Sequence, residues 1–342
     1  MAGLQPSAGR GKVMQEATSV FRDETRAAPG HFRDLDDLNH AISGSDLELT
    51  QLEAGELDVQ ALSFDFDGLS VDRGKINRNI RIRGGLDAKR YSLAVFHPGA
   101  RGRLNGFDVD PSSLLFSSPG LELDGHLRES YGWTSLVIPA AWIEATSMAA
   151  RDTGFLVSLT GFRGLYPDAH KLQDLFRASE LLVASRFQPG QSMEREEQLC
   201  LCLRDALGAV LSDLDAPDSK AMSGTLSQYR TAQRAERYLR ERGLDNLAVD
   251  EICAELRVSR RHLEYAFRGA FGTSPARYSR LLRLHQVRRS LSHPRAGTTV
   301  TTAATDHGFT HLGWFSTQYR ALFGESPSST LKRGAAPATK QG

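Results

Sequence analysis

The chain has 342 residues, enough for two domains with separate cores, and its 40% hydrophobic and 24% charged residues are ordinary for a soluble globular protein. The formal net charge of +1 conceals a division: residues 226–334 carry 18 Lys and Arg against 9 Asp and Glu, or +9, and the remainder carries 24 against 32, or −8. No apolar run approaches the roughly 18 residues that cross a bilayer, and three cysteines (Cys200, Cys202, Cys253) make neither a disulfide framework nor paired CxxC metal knuckles.

Residues 1–30 are rich in Gly, Ala, Ser and charge without periodicity, so a disordered tail is expected. The stretch also lacks the apolar core of a secretory signal, and a cytoplasmic protein with reduced thiols is expected. From residue 31 to about 150 the signal is β. Leu62, Phe64 and Phe66 alternate with Ser63, Asp65 and Asp67, and the apolar phase then slips at Gly68, which predicts a bulge or bend. Ile80 and Ile82 alternate with Arg81 and Arg83 before Gly84-Gly85 turns the chain. Short apolar runs at 91–96, 114–116 and 134–138 are separated by Pro98-Gly99, Asn105-Gly106 and Pro119-Gly120. Many short strands with such turns predict an antiparallel β barrel or sandwich. Phe64, Phe66, Ile82, Phe96, Phe116, Trp133 and Leu136 are the candidates for lining an internal effector pocket; large inward aromatics equally suit a filled core.

The period changes beyond Pro139. Leu172, Leu175, Phe176, Leu181, Leu182 and Val183 suit one amphipathic helix, and Leu199, Leu201, Leu203, Leu207, Val210, Leu211 and Leu214 a second. Residues 151–214 therefore form a helical segment that either dimerises the chain or packs on the sheet. Residues 215–225, small and polar with Pro217, read as a linker.

The last third says one thing twice. Phe271-Gly272-Thr273-Ser274-Pro275 recurs as Phe323-Gly324-Glu325-Ser326-Pro327, each closing a short helix, a tight turn and a second helix. In the first unit, residues 249–256 support, Arg257-Val258 turn, and Ser259 caps a helix whose Leu263, Phe267 and Phe271 face inward. Its outward face offers Arg260, Arg261, Glu264, Tyr265 and Arg268. Arg grips guanine O6 and N7, and Glu accepts from a cytosine amine, so Arg261, Glu264 and Tyr265 near the helix start are the favoured base readers. In the second unit, residues 302–307 support, Gly308 turns, and Thr310 or His311 caps. Its outward positions are Leu312, Gly313, Trp314, Ser316, Thr317 and Arg320, poor in bidentate base contacts, which suits a helix that either reads methyl groups and shape or mainly grips the DNA backbone. Residues 275–290 read as one arginine-rich helix joining the units. A rigid joint would let both enter successive major grooves, about 34 Å apart on one face of DNA.

Two helix-turn-helix units, this joining helix, the segment 232–242 before them and the paired Gly-x-Ser-Pro endings together resemble the AraC/XylS family of bacterial transcription regulators, over residues of about 226–333. The run Gly308-Phe309-Thr310-His311-Leu312, followed by Phe315, Tyr319-Arg320 and Phe323 to Pro327, is the most specific part of the match. Arg257 departs from the family's usual glycine, and Trp314 stands where the family is usually polar or basic. The resemblance implies a DNA-binding domain over 226–334, followed by a short disordered tail at 335–342. It also implies promoter DNA and RNA polymerase as partners and activation as the usual outcome; no cofactor is expected. Residues of roughly 32–142 resemble, by pattern, the cupin-like sensor domains that precede this module, in a layout like that of the ethanolamine-operon regulator. This implies a small effector or a homodimer as the means of control.

The expected fold is thus an α+β multidomain chain: a cupin-like antiparallel β domain with a helical segment, then an all-α domain of two joined helix-turn-helix units. Two other readings stand beside the effector sensor: a β domain serving only as an oligomerisation or protein-interaction platform, and a cupin-type metal enzyme fused to a DNA-binding module. The second lacks ligands, because the strand region offers only His97 and His126, with no His-x-His pair. Neither a Gly-x-Ser-x-Gly elbow nor a Gly-x-x-x-x-Gly-Lys phosphate loop is present, and no catalytic or metal site is expected.

Overall fold

The computed structural model describes residues 30–41, 45–66, 68–97, 99–109, 112, 114–143, 161–185, 193–212, 223–242 and 249–335. Of the predicted tails and linker, residues 1–29, 215–222 and 336–342 lie outside the described residues. The chain divides into two units that are not contiguous in sequence. The first holds residues 1–48, 59–77 and 83–221; the second holds 49–58, 78–82 and 222–342.

Twelve strands are described: β1 (Gly30–Phe32), β2 (Ser45–Gln51), β3 (Val59–Phe66), β4 (Leu69–Ile76), β5 (Ile80–Leu86), β6 (Arg90–Phe96), β7 (Arg101–Leu104), β8 (Phe107–Val109), β9 (Leu114–Ser117), β10 (Glu122–Arg128), β11 (Tyr131–Pro139) and β12 (Phe162–Leu165). They form a seven-stranded sheet in the order β1-β3-β4-β11-β6-β9-β12 and a five-stranded sheet in the order β2-β5-β10-β7-β8. The ladders β3–β4, β4–β11, β11–β6 and β6–β9 are antiparallel. The N-terminal architecture is a pair of sheets rather than one closed barrel. Helix α1 (Leu35–Ala41) follows β1, and α2 (Ala169–Ser185) and α3 (Met193–Leu211) follow β12.

Two turn predictions change. Phe66 pairs with Leu69, so Gly68 lies in the turn between two paired strands and not in a bulge within one strand. Gly68 takes φ 79°, and the Asp65 carboxylate accepts its amide hydrogen at 3.2 Å. Gly84-Gly85 continues β5 instead of turning the chain. Gly84 has φ 146°, and a Cβ there would lie 2.0 Å from the Asp46 carbonyl, so the pair marks a close backbone approach.

The ladder register sorts the candidate pocket residues by face. Phe64 pairs with Val71, Val71 and Leu93 with Leu136, and Phe116 with Leu93. Phe64, Phe66, Phe116 and Leu136 therefore share one face of the seven-stranded sheet. Phe66, Phe116 and Leu136 are buried there with Leu172, Leu175, Leu182, Leu203, Leu207 and Leu211, and Phe64 packs against the same cluster. The inner faces of α2 and α3 thus fill this surface with leucine. Trp133 pairs with Phe96 and lies three residues from Leu136, which puts both aromatics on the opposite face. Ile82 belongs to the second unit. The seven-stranded sheet thus separates Phe64, Phe66, Phe116 and Leu136 from Phe96 and Trp133. Leu181 and Leu201, predicted among the apolar stripes, are exposed at 51% and 42%.

The second unit carries α4 (Ser223–Arg242), α5 (Val249–Leu256), α6 (Arg260–Phe271), α7 (Pro275–Ser292), α8 (Val300–Asp306), α9 (Leu312–Phe323) and α10 (Pro327–Ala335). Residues 223–225, expected in the linker, already belong to α4. One apolar cluster runs through the unit from Tyr229 on α4, through Phe267, Phe271 and Tyr278, to Phe309, Phe315, Tyr319 and Phe323. Arg81, read from sequence as the outward residue of an alternating strand, is 1% exposed within this unit and lies with its guanidinium carbon 4.5 Å from the Phe271 ring centre.

Candidate nucleic-acid interface

The repeat in the sequence is a repeat in hydrogen bonding. At the end of α5 the Arg257 amide donates to the Ala254 carbonyl and the Val258 amide to that of Cys253. At the end of α8 the Gly308 amide donates to Thr305 and the Phe309 amide to Ala304. Both are the two-bond ending in which a left-handed residue reverses the chain. Gly308 takes φ 77° and Arg257 φ 53°, so an arginine occupies a conformation that ordinarily asks for glycine.

The second helices also end alike. Gly272 (φ 69°) donates to the Arg268 carbonyl and Gly324 (φ 74°) to that of Arg320. Ser274 then caps α7 by accepting the Arg277 amide hydrogen at 3.3 Å, with Pro275 as the first helical residue. Ser326 accepts from the Ser329 amide at 3.1 Å, with Pro327 opening α10. A proline without an amide hydrogen is best placed at that position, which explains the duplicated Phe-Gly-x-Ser-Pro.

The helix starts differ. Ser259 caps α6 by accepting from the His262 amide at 3.2 Å. His311 is the N-cap of α9 but makes no side-chain cap bond. The support helix α8 begins at Val300, earlier than predicted, behind a capping box of Thr299 and Thr302. His307, four residues before His311, faces the Ser290 hydroxyl at 3.1 Å.

Leu263, Phe267 and Phe271 bury the inner face of α6, with the Phe267 and Phe271 rings edge to face at 5.2 Å. Outward, Arg260 and Arg268 are exposed at 66% and 73% of their side chains and lie 3.7 Å from Asp250 and 3.9 Å from Glu264. Such exposed pairs are weak and can be exchanged for phosphate or base partners. Arg261 lies 5.9 Å over the exposed Tyr265 ring. Arg260, Arg261, Tyr265 and Arg268 are thus exposed on the outer side of one capped helix, and Glu264 is half-buried beside them.

On α9, Phe315 and Tyr319 face inward, while Leu312, Gly313, Trp314, Thr317 and Arg320 are exposed. The joining helix explains what sequence left as decoration. Arg283 donates to the Gly308 carbonyl at 3.1 Å and covers the Phe309 ring at 5.0 Å. Arg288 pairs with Glu325 at 3.0 Å and lies 4.6 Å over Phe323. Arg280 stacks 4.8 Å over Trp314. Three arginines of α7 thus hold the second unit's turn, recognition helix and closing segment. Their spacing along one helix was visible in sequence; their targets were not.

The two equivalent capped turns, each presenting an exposed second helix from a basic unit, match residues 252–333 to the helix-turn-helix domain family. This is a helix-turn-helix domain of the AraC type. The chain is similar to the XylDLEGF operon transcriptional activator of Pseudomonas putida, 34% identical over 102 residues, which cover 30% of this chain and 32% of that one. It is also similar to the probable thc operon regulatory protein of Rhodococcus erythropolis, 33% identical over 96 residues, covering 28% and 29%. A crystal structure of a probable AraC family transcriptional regulator from Rhodopseudomonas palustris matches 31% of this chain and 99% of its own, at 33% identity and a TM-score of 0.30. The chain spans about a third of the length of the first of these curated relatives.

Elsewhere, His97 sits against the Thr134 hydroxyl at 3.2 Å, and His126 accepts from Arg128 at 2.8 Å. Among the described residues no three His, Cys, Asp or Glu side chains group as a metal site requires, and no helix is long and apolar enough to cross a membrane.

Proposed function

We propose that the whole chain is a sequence-specific, DNA-binding transcription regulator whose AraC-type domain reads DNA through α6 and α9. One observation carries the reading: the same turn geometry occurs twice in a domain of charge +9, with the two units clamped to a single helix. Eighteen residues at about 1.5 Å each make α7 about 27 Å long, a rigid spacer on the scale of one turn of DNA. Arg261, Glu264 and Tyr265 are the proposed base readers of the first unit, with Arg260 and Arg268 on phosphate. In the second unit Thr310, His311, Ser316, Thr317 and Arg320 approach the backbone.

The β unit is proposed as the regulatory part, acting through a small effector or through pairing of two chains. Activation, with RNA polymerase as partner in the cytoplasm, is proposed from the likeness to operon activators, and no enzymatic role is assigned.

The test is fluorescence anisotropy of the full chain on DNA selected from a random-sequence duplex library, with scrambled duplex as control and a salt series. Sequence-preferring binding that weakens steeply with salt, as released phosphate counterions require, is the expected result. A folded protein that enriches no sequence overturns the reading.

A further inference from the structure

The outward face of α9 is chemically unlike that of α6. Its charge comes late, at Arg320, two turns from the helix start. Its hydroxyls are turned inward on their own helix: Ser316 donates to the Leu312 carbonyl at 2.9 Å and Thr317 to the Gly313 carbonyl at 3.2 Å. Gly313 presents no side chain, and a Cβ there would meet nothing within 4 Å. The first turn is left with Leu312, 36% exposed, and Trp314, 47% exposed. Covering this apolar surface with another apolar group removes it from water and is favourable. This indole is also held in place, because the Arg280 guanidinium of α7 stacks on it at 4.8 Å. One face of the ring is occupied and the remainder is open beside a cation that suits a phosphate.

Resting on the reading that α9 enters the major groove, we infer that Trp314, backed by Leu312, reads the 5-methyl group of thymine. The first turn of a recognition helix lies nearest the base edges, and the thymine methyl is the one apolar group the major groove displays. A surface with no bidentate donor pair in that turn cannot specify guanine or adenine by hydrogen bonds, but it can desolvate a methyl. Arg280 contributes orientation to the ring and charge to the adjacent phosphate. The two units then read by different chemistry, the first by polar groups and the second by apolar contact.

The test uses the full chain and the duplex obtained by random-sequence selection. Each thymine is replaced singly by deoxyuridine, which deletes the methyl and leaves base pairing intact. Wild-type protein should lose about three- to fourfold in affinity at one or two thymines, the effect of uncovering one methyl-sized group. Trp314→Ala should bind the thymine duplex more weakly and bind thymine and uracil duplexes equally, with its helical circular dichroism at the assay temperature matching wild type. Equal wild-type binding to every deoxyuridine duplex overturns the inference. So does a Trp314→Ala protein that keeps the discrimination. If selection enriches no sequence at all, the DNA-binding reading itself fails and takes this inference with it.

Discussion

Tyr278 donates its hydroxyl hydrogen to Glu236 at 2.5 Å, joining α7 to α4 through a carboxylate that is 1% exposed. The same carboxylate takes Arg81 at 2.5 Å and Arg240 at 3.2 Å. Burial alone would raise the Glu236 pKa; the Arg81 and Arg240 charges and the Tyr278 and Arg81 hydrogen bonds outweigh it and hold it below its ordinary value. Burial, then the Glu236 charge, drives the Tyr278 hydroxyl far upward, so it stays a donor.

Glu236→Gln should therefore cost about 3–5 kcal/mol, because it strands a buried guanidinium. Tyr278→Phe should cost about 1–3 kcal/mol, the penalty of one lost partner. Since the folded pKa of Glu236 is depressed, its contribution is present above the ordinary value of 4.5 and is lost as pH falls below it. Urea unfolding of the full chain, followed by helical circular dichroism, checks all three. An unchanged midpoint in Glu236→Gln would show that the buried pair is not sustaining the unit.

The left-handed Arg257 gives a prediction with a sign that sequence alone could not fix. A non-glycine residue there pays about 1–2 kcal/mol, while glycine would pay about 0.5–1 kcal/mol more in chain entropy. The first term wins, so Arg257→Gly should stabilise the domain, by at most about 1.5 kcal/mol. A β-branched residue resists positive φ most strongly, and Arg257→Val should lower the melting temperature below that of Arg257→Ala. Differential scanning calorimetry of the three variants orders them; Val equal to Ala would contradict the strained turn.

At the first recognition helix, Arg261→Ala should cost about 1–3 kcal/mol and relax preference at a single base pair. Anisotropy against duplexes substituted at each position in turn reads this out. Equal loss on specific and scrambled DNA would reassign Arg261 to phosphate.

His97 supplies a pH test for the β unit. Burial, aided by the Arg73 charge, pushes its pKa from 6.5 down to about 4. The unfolded chain binds this proton more readily than the folded one. Stability from His97 is thus complete above 6.5 and falls as pH drops toward about 4. A loss of about 2 kcal/mol is expected from pH 6.5 to about 5, before carboxylates titrate. Thermal unfolding across that window should show the slope in wild type and a flatter one in His97→Gln.

The sequence by itself determined the parts of this protein that are made within a few residues of chain. The duplicated capped turns, the Phe-Gly-x-Ser-Pro endings and the inward Phe267 and Phe315 follow from hydrogen bonds and side-chain spacing that span no more than five positions, and those were legible. Even the departure at Arg257 was visible, though not that its backbone would adopt the glycine conformation regardless. What only the tertiary structure decided lies at long range. Arg81 looks like the solvent-facing half of an alternating strand, yet its carboxylate partner stands 155 residues away. The pocket candidates were chosen by alternation, which fixes that neighbours face opposite ways but not which face of which strand is shared. Ladder register settled that and put Phe116 and Trp133 on opposite sides. The arginines of α7 likewise read as a solvated stripe until the fold brought Phe309, Trp314 and Phe323 beneath them. Local periodicity encodes which side of an element is apolar; the identity of the group it meets is set only when distant segments pack.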